Sequence, residues 1–422
     1  MHSSVVHFST TDNFGGSGRA AYRIHAGLRN LGYSSRMIVG RKVTDDKDVD
    51  TVRRTATGTM MDRIADRLLG AIGLQYAYFP SQHRVLGHPW VQAANVFQLY
   101  NIHGGYFSTS ILPALSALAP IVWRLSDMWA FTGHCAYAGT CDRWRTGCGE
   151  CPDLATYPGI GIDTTRYLWQ RKSRIYRRLR MVVVAPSTWT ERLAKESPLL
   201  GDFPVRRIPN GLDLQIFRPA NQADARKILG LNPEEKIVLF SAQLLDSDAR
   251  KGTAHVIEAL QRYALREGRP NTSLLLVGSG GEHICDKVPL PVRYLGFIDK
   301  DEELARAYSA ADIMLAPSLA ENLPNSALEA MACGIPVVAY ATGGVGDAVR
   351  HMETGFLAES GDAGGLDEGI SLLLTNEDLR NKLASQALDL IRSEFAAEIQ
   401  ANRFASLYQE LIETTSHART SD

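Results

Sequence analysis

Residues 316–345 read APSLAENLPNSALEAMACGIPVVAYATGGV. The stretch joins the end of an apolar strand to a tight turn, a short helix and a second apolar strand. Pro324 suits the first helical turn, where its missing N–H would be unpaired anyway. Gly334 suits the stop, where a left-handed residue is wanted. The spacing therefore predicts a helix from about Pro324 to Cys333. Its N-terminus offers free backbone N–H groups and the positive end of a dipole, which together attract an anion. Glu321 falls just outside the helix start and Glu329 within it. A phosphate at the N-terminus would lie between the two carboxylates, one free to meet a sugar and the other a ribose diol.

Working outward, the second half of the chain repeats one pattern. Apolar runs at Lys236–Ser241, Ser273–Val277, Val292–Leu295, Ile313–Ala316 and Pro336–Tyr340 read as buried strands. Helical spacing separates them, notably over Thr253–Glu267 and Asp301–Ala311. The first half opens with a strand, Val5–Ser9, and a glycine-rich turn, Gly15-Gly16-Ser17-Gly18. Helical spacing follows through Ala21, Ile24, Leu28 and Leu31, and a strand returns at Ser35–Val39. Further strands are expected at Asn95–Tyr100, Ile121–Leu125 and Met181–Ala185. Strand–helix alternation of this kind specifies α/β, doubly wound domains.

The string Ser318, Glu321, Glu329-Ala330-Met331-Ala332, Gly334, Pro336-Val337-Val338, Gly343-Gly344 resembles the signature of the retaining, family-4 glycosyltransferases of GT-B architecture. The passage IPNGLDLQIFRP, Ile208–Pro219, is similar to the one that joins their two domains. The resemblance implies two Rossmann-like doubly wound domains facing each other across a cleft. It divides the chain into an acceptor-side domain, 1–212, a nucleotide-sugar domain, 213–395, and a helix over 396–422 that crosses back to the first domain.

The same resemblance assigns the donor site. Lys251, in Arg250-Lys251-Gly252 ahead of a helix, would grip the donor diphosphate. Glu329 would accept from the ribose hydroxyls and Glu321 from the donor sugar. Asn322, Leu323, Asn325 and Ser326 are further candidates to bind the donor. Family members add an arginine just after the preceding strand. Gln243 stands near that place here, so Arg250 is the expected substitute. Glycine turns after strands, Gly278-Ser279-Gly280-Gly281 and Gly343-Gly344, would let backbone approach the nucleotide. Gly16 and Gly18 would approach the same diphosphate. Cationic side chains and a helix end can stabilise the departing diphosphate, so catalysis is expected to need no cofactor and no divalent ion.

Residues 125–152, LSDMWAFTGHCAYAGTCDRWRTGCGECP, are similar to a segment in members that assemble polysaccharide and lipopolysaccharide. Ser126 stands where those proteins have histidine. Asp127, His134 and His103 are the candidates to orient or deprotonate an acceptor hydroxyl. Cys135, Cys141, Cys148 and Cys151 fall within seventeen residues and end in a C-x-x-C, a pattern that suits one closed, structural zinc ion. The alternative is four packed or oxidisable thiols. Cys285 and Cys333 read as core residues.

Composition excludes several classes. At 422 residues with 45% hydrophobic and 22% charged, the chain is globular and long enough for two cores. Residues 1–212 carry 26 Lys/Arg against 15 Asp/Glu, and the remainder 19 against 31. A basic first half points to an anionic partner such as lipid head groups or a lipid diphosphate, and not to nucleic acid. Thr165–Arg180 carries seven basic residues and no acid. It would lie on anionic lipid or dock with its charged face solvated. Met60–Phe79 has apolar spacing that would cover an acceptor lipid. The opening MHSSVVHFST has no basic n-region, and no run reaches the roughly 20 apolar residues of a spanning helix. A cytoplasmic enzyme, peripheral on the inner face of a membrane, is expected.

The expected activity is transfer of a sugar, with retention, from a nucleotide-diphosphate sugar to a glycan or lipid-linked acceptor in exopolysaccharide or lipopolysaccharide synthesis. The alternatives are a sugar-nucleotide epimerase, a sucrose-type synthase, or an inactive zinc-stabilised adaptor at the membrane.

Overall fold

The computed structural model describes residues 3–52 and 56–420. The chain forms two compact units, one of Met1–Gly211 with Glu398–Asp422 and one of Leu212–Ala397.

The first unit contains β1 (Ser4–Thr11), β2 (Ser34–Arg41), β3 (Val49–Thr51), β4 (Val96–Leu99), β5 (Ile121–Arg124), β6 (Met181–Ala185) and β7 (Val205–Arg207). They form one sheet in the order β3-β2-β1-β4-β5-β6-β7, with every neighbouring pair parallel. Strands of such a sheet are buried on both faces, which is why they read as unbroken apolar runs. Alternation along the strands divides them between two cores. Val6, Phe8, Phe97, Leu99 and Trp123 enter one. Val5, Val96, Val122 and Val184 enter the other, which is closed by Ile24 and Leu28 and by Phe404, Leu407 and Tyr408 of the last helix, Ala397–Thr420. The Tyr408 hydroxyl also donates to Gln98 Oε1 at 2.8 Å.

Under that helix-covered face lies a polar knot. His7 Nε2 and His25 Nδ1 both meet Ser35 Oγ at 2.8 Å, and His7 Nδ1 meets Tyr100 Oη at 3.0 Å. Burial pushes the His25 imidazole down to about 4, against the opposing pull of Asp46, and holds His7 well below the usual range. An unfolded histidine titrates near 6.5. Between about pH 6.5 and 4 the unfolded chain therefore binds a proton that folded His25 refuses. Stability should fall as pH drops through that window, by roughly 3 kcal/mol at most from His25 alone. Denaturation midpoints at pH 7 and 4.5 should converge in His25→Gln relative to the parent protein. An unchanged difference would mean that other groups carry the acid sensitivity.

The second unit contains β8 (Lys236–Leu244), β9 (Thr272–Ser279), β10 (Val292–Tyr294), β11 (Ile313–Ala316), β12 (Val337–Tyr340) and β13 (Gly355–Ala358). The order is β10-β9-β8-β11-β12-β13, again all parallel. Ile237, Leu239, Met314 and Val337 face one core, and Val238, Phe240, Leu315 and Val338 the other. Arg226 and Asp312 form a buried ion pair at 2.7 Å, and Asp312 Oδ2 also accepts from the Ile237 N–H at 2.6 Å.

The glycine-rich stretch after β1 differs from expectation. The helix there begins at Gly15 and runs to Asn30, with Phe14 as its N-cap, so Gly15–Gly18 is its first turn and not a loop. A Cβ on Gly18 would lie 2.2 Å from Thr11 Oγ1, so its missing side chain lets the helix start flush against the strand end. Strands β3, β7 and β13 were not legible as apolar runs. Val49–Thr51 and Val205–Arg207 have three residues each, and Gly355–Ala358 is a half-buried edge.

Candidate active site

In a doubly wound sheet, ligands gather beyond the carboxyl ends of the strands where the strand order reverses. In the second unit that point lies between β8 and β11. The chain leaving β8 makes a short turn, Ala249–Lys251, and the chain leaving β11 passes through Ser318 to Glu321. The two exits are pressed together. The Leu319 N–H donates to Arg250 O at 2.7 Å, and a Cβ on Gly252 (φ +74°) would lie 2.1 Å from Pro317 O. Only glycine tolerates both the left-handed backbone and that approach. The result is an ion pair between Lys251 Nζ and Glu321 Oε2 at 2.6 Å, each side chain still partly open.

A third exit completes the arrangement. After β12, Gly343 (φ +57°) lies so close to Glu321 that an added Cβ would sit 1.9 Å from its carbonyl oxygen, and the Gly344 N–H donates to that oxygen at 3.2 Å. The Gly343-Gly344 pair thus fixes the Glu321 backbone from behind. The Asn322 N–H donates to Glu321 Oε1 at 3.2 Å. Asn322 and Leu323 are buried, whereas Asn325 and Ser326 at the helix start are half-exposed.

The helix itself spans Asn325–Ala332, one residue shorter at each end than expected. Pro324 is the N-cap, with ψ 114°, and not the first helical residue. Its ring fixes φ but leaves ψ free to take the extended value a cap needs. Gly334 is left-handed, φ +80°, as the stop requires. Glu329 is buried, and its Oε2 accepts from the Tyr308 hydroxyl at 3.1 Å. Arg250 is held bidentately by its neighbour Asp248, at 3.0 and 2.7 Å, which leaves Lys251 as the cation facing Glu321. The glycines at the end of β9 and just after it serve packing first. Gly278 abuts Ala242 O, and the Gly281 N–H is taken by Tyr294 Oη at 3.2 Å.

In the first unit the strand order reverses between β1 and β4. Ser17, in the first turn of the Gly15–Asn30 helix, meets Ser126 with Oγ atoms 3.0 Å apart. The exposed Gly16 lies beside it, while Gly18 is buried against Thr11. Beyond β4 and β5, His103 Nε2 meets Asp127 Oδ2 at 2.8 Å, and Asp127 Oδ1 accepts from the Trp129 N–H at 2.9 Å. A carboxylate only accepts, so Nε2 carries a proton, and in the neutral ring Nδ1 is the bare nitrogen. That Nδ1 is buried with no hydrogen-bond partner in the described protein. His103 and Asp127 therefore form a dyad. His134 does not join it: its Nδ1 meets Pro158 O at 3.0 Å and its Nε2 lies 3.4 Å from Cys151 Sγ.

The four clustered cysteines are free and half-buried. Among the described residues, no three histidine, cysteine, aspartate or glutamate side chains are arranged to hold a metal ion. The expected four-sulfur site is present as a cluster of thiols and not as a finished coordination sphere. Cys333 is buried as expected, but Cys285 is half-exposed on the short helix Glu282–Cys285.

The basic stretch is a helix over Thr165–Tyr176 that buries Leu168, Lys172 and Tyr176. Arg171 bonds Thr109 Oγ1 and Ala77 O, while Arg166, Arg174, Arg177 and Arg178 stay exposed. Lys172 is the residue sequence reasoning passed over. Its ammonium donates to Trp129 O at 2.5 Å and Thr132 O at 3.0 Å and lies 3.6 Å from the centre of the Trp129 ring. The signal was there, since Lys172 falls midway between Leu168 and Tyr176 on the helix's apolar stripe. Tyr308, the partner of Glu329, was also missed.

The chain is similar in sequence and in fold to known proteins. N-acetyl-alpha-D-glucosaminyl L-malate synthase of Bacillus anthracis is 26% identical over 213 residues, 49% of this chain and 54% of that protein. D-inositol 3-phosphate glycosyltransferase of Mycobacterium marinum is 31% identical over 205 residues, 48% of this chain and 44% of that protein. The chain thus spans about half the length of the curated relatives it matches. The structure of sucrose-phosphate synthase from Thermosynechococcus elongatus superposes with a TM-score of 0.69 over 97% of this chain and 100% of that one, at 21% identity. The fold is the two-domain GT-B architecture. Residues 221–389, within the second unit, match the family model of Glycosyl transferases group 1.

Proposed function

We propose that this protein transfers a sugar from a nucleotide-diphosphate sugar to a glycan or lipid-linked acceptor, with retention of configuration, in exopolysaccharide or lipopolysaccharide synthesis. The observation that carries the reading is the Lys251–Glu321 pair at the β8/β11 exit, beside the N-terminus of the Asn325–Ala332 helix. A cation, a helix end and a carboxylate there match the three charges of the reaction. Lys251 and the helix dipole take the departing diphosphate. Glu321 faces the sugar as it becomes oxocarbenium-like, and Glu329 takes the ribose. The diphosphate competes with Glu321 for Lys251, so donor binding frees the carboxylate for the sugar. Charge neutralisation by Lys251 and the helix end lets the reaction proceed without a divalent ion, and EDTA should leave turnover intact.

The His103–Asp127 dyad suits the acceptor, with the bare Nδ1 accepting from its hydroxyl. The Ala56–Ala71 helix supports an acceptor at a membrane. Met60, Met61, Ile64 and Leu68 are exposed on it, flanked by exposed Arg63 and Arg67. Among the described residues no helix is long and apolar enough to cross a bilayer, so the contact would be peripheral.

A thermal-shift panel of UDP-, GDP- and ADP-sugars identifies the nucleotide, and calorimetry then tests the site. Lys251→Ala and Glu329→Ala should each weaken nucleotide binding by about 1–3 kcal/mol, through lost charged hydrogen bonds. Unchanged affinity in both variants would remove the donor assignment. Conversion of the sugar nucleotide to an isomer without acceptor would replace transfer by epimerisation.

A further inference from the structure

One tryptophan touches both members of the His103–Asp127 dyad. The Trp129 N–H donates to Asp127 Oδ1 at 2.9 Å, which leaves Oδ2 for His103 Nε2 at 2.8 Å. The Trp129 indole packs against the His103 imidazole, with ring centres 5.3 Å apart and planes at 47°. The backbone of residue 129 thus aims the carboxylate, and its side chain bounds the imidazole. A shift of Trp129 would move both partners of the hydrogen bond that decides which histidine nitrogen carries the proton.

Trp129 belongs to a single turn, Trp129–Phe131, too short to hold itself in place. The Thr165–Tyr176 helix holds it instead. Lys172 Nζ donates to Trp129 O at 2.5 Å and to Thr132 O at 3.0 Å, and Tyr176 Oη donates to Ala130 O at 2.8 Å. Lys172 and Tyr176 are buried and share one face of the helix. Lys172 does more than Tyr176. Its Nζ also lies 3.6 Å from the centre of the Trp129 ring, a cation–π distance, so one amine fixes both the carbonyl and the indole of the residue that bounds the dyad. At its edge the indole Nε1 donates to Gln75 Oε1 at 3.4 Å. Burial pulls the Lys172 ammonium down to about 7, and Cys148, Cys135 and Asp127 oppose that pull. The dyad's carboxylate is therefore tied to Lys172 by charge as well as through Trp129. A lysine costs more to bury than an apolar residue on the same stripe, so packing alone does not account for it.

We propose that Lys172 is a positioning residue for the His103–Asp127 dyad, acting through Trp129. The proposal rests on the acceptor role given to the dyad above. The amine takes no part in proton transfer. It holds Trp129 so that Asp127 Oδ2 faces His103 Nε2, which keeps the proton on Nε2 and leaves Nδ1 bare for the acceptor hydroxyl. Without Lys172 the turn loosens and the imidazole and carboxylate lose their alignment. The proton then exchanges between the two ring nitrogens, and a fraction of molecules presents an N–H where an accepting nitrogen is needed.

The test is nitrogen-15 NMR of the full chain labelled at histidine, without substrate, at about pH 8, where an ordinary imidazole is neutral. His103→Gln identifies the His103 signals. The parent protein should show His103 with one protonated and one bare nitrogen, at well-separated shifts. In Lys172→Met the two shifts should approach each other as tautomers mix, and kcat should fall about a hundredfold with the donor KM unchanged. Tyr176→Phe, which frees the same turn at Ala130 and not at Trp129, should lose stability and keep the His103 tautomer. An unchanged His103 spectrum in Lys172→Met, or equal mixing in Tyr176→Phe, would overturn the proposal. If Lys172→Met fails to fold, Trp129→Leu decides, since it removes the ring that contacts both the amine and His103. Mixed tautomers there support the proposal, and an unchanged spectrum overturns it. No substrate enters the spectra, so their failure is separate from an absence of sugar transfer, which would remove the function proposed above instead.

Discussion

Glu321→Gln is expected to cut sugar transfer by about a hundredfold to a thousandfold, the range seen when one preorganised electrostatic contact to a transition state is removed. The same variant should bind the bare nucleoside diphosphate at least as tightly as the parent protein. The asymmetry follows from the ion pair. In the ligand-free chain Lys251 is held by Glu321 at 2.6 Å. An amide at 321 keeps the shape of the side chain and removes the charge, so Lys251 meets the diphosphate without a competitor. On the function proposed above, turnover responds in the opposite direction, because only the carboxylate would stabilise positive charge on the sugar, and interactions specific to the transition state govern the rate. Parallel calorimetry and initial-rate measurements check both halves. Equal losses in affinity and turnover would move Glu321 from the sugar to the phosphates or to a structural role.

Asp312→Ala is expected to destabilise the second unit by about 3–5 kcal/mol, the usual result of leaving one partner of a buried pair unmatched. Arg226 would keep its bonds to Ala310 O and Pro233 O but would lose the Asp312 carboxylate at 2.7 Å. The Ile237 N–H at the start of the central strand β8 would lose its acceptor as well. Asp312→Asn, which can still accept from Ile237, should lose less. Replacing both members, Arg226→Met with Asp312→Leu, should recover much of the loss, since the apolar pair carries no desolvation penalty. Chemical denaturation followed by far-ultraviolet circular dichroism measures all three. Similar midpoints for the single and double variants would show that the pair contributes little.

Much of this architecture was legible because its elements are apolar and regularly spaced. Met181–Ala185 and Ile313–Ala316 appear with the bounds read from sequence, because each is a short apolar run closed by a clear change in composition. The residues expected at the donor site come together for a related reason. Lys251, Glu321 and Gly343 each sit a few residues past a strand, and a parallel sheet brings such positions to one edge. What stayed hidden depends on contacts between distant residues. Nothing local to Asp248 announces that it will claim Arg250, and nothing in His134 separates it from His103. Only the tertiary path shows that one histidine meets a carboxylate and the other a sulfur. The glycines after β1 misled because glycine signals a turn more often than a helix start, and the deciding neighbour, Thr11 Oγ1, lies on another element.

The first unit is made from two separated pieces of chain, Met1–Gly211 and Glu398–Asp422, whereas the second is one continuous piece. During synthesis the ribosome therefore delivers every strand of the first sheet long before it delivers the helix that covers one face. Val5, Val122 and Val184 must wait for Phe404, Leu407 and Tyr408 while the whole second unit emerges and folds as an uninterrupted segment. The first unit thus becomes a finished body only after the second unit has been made.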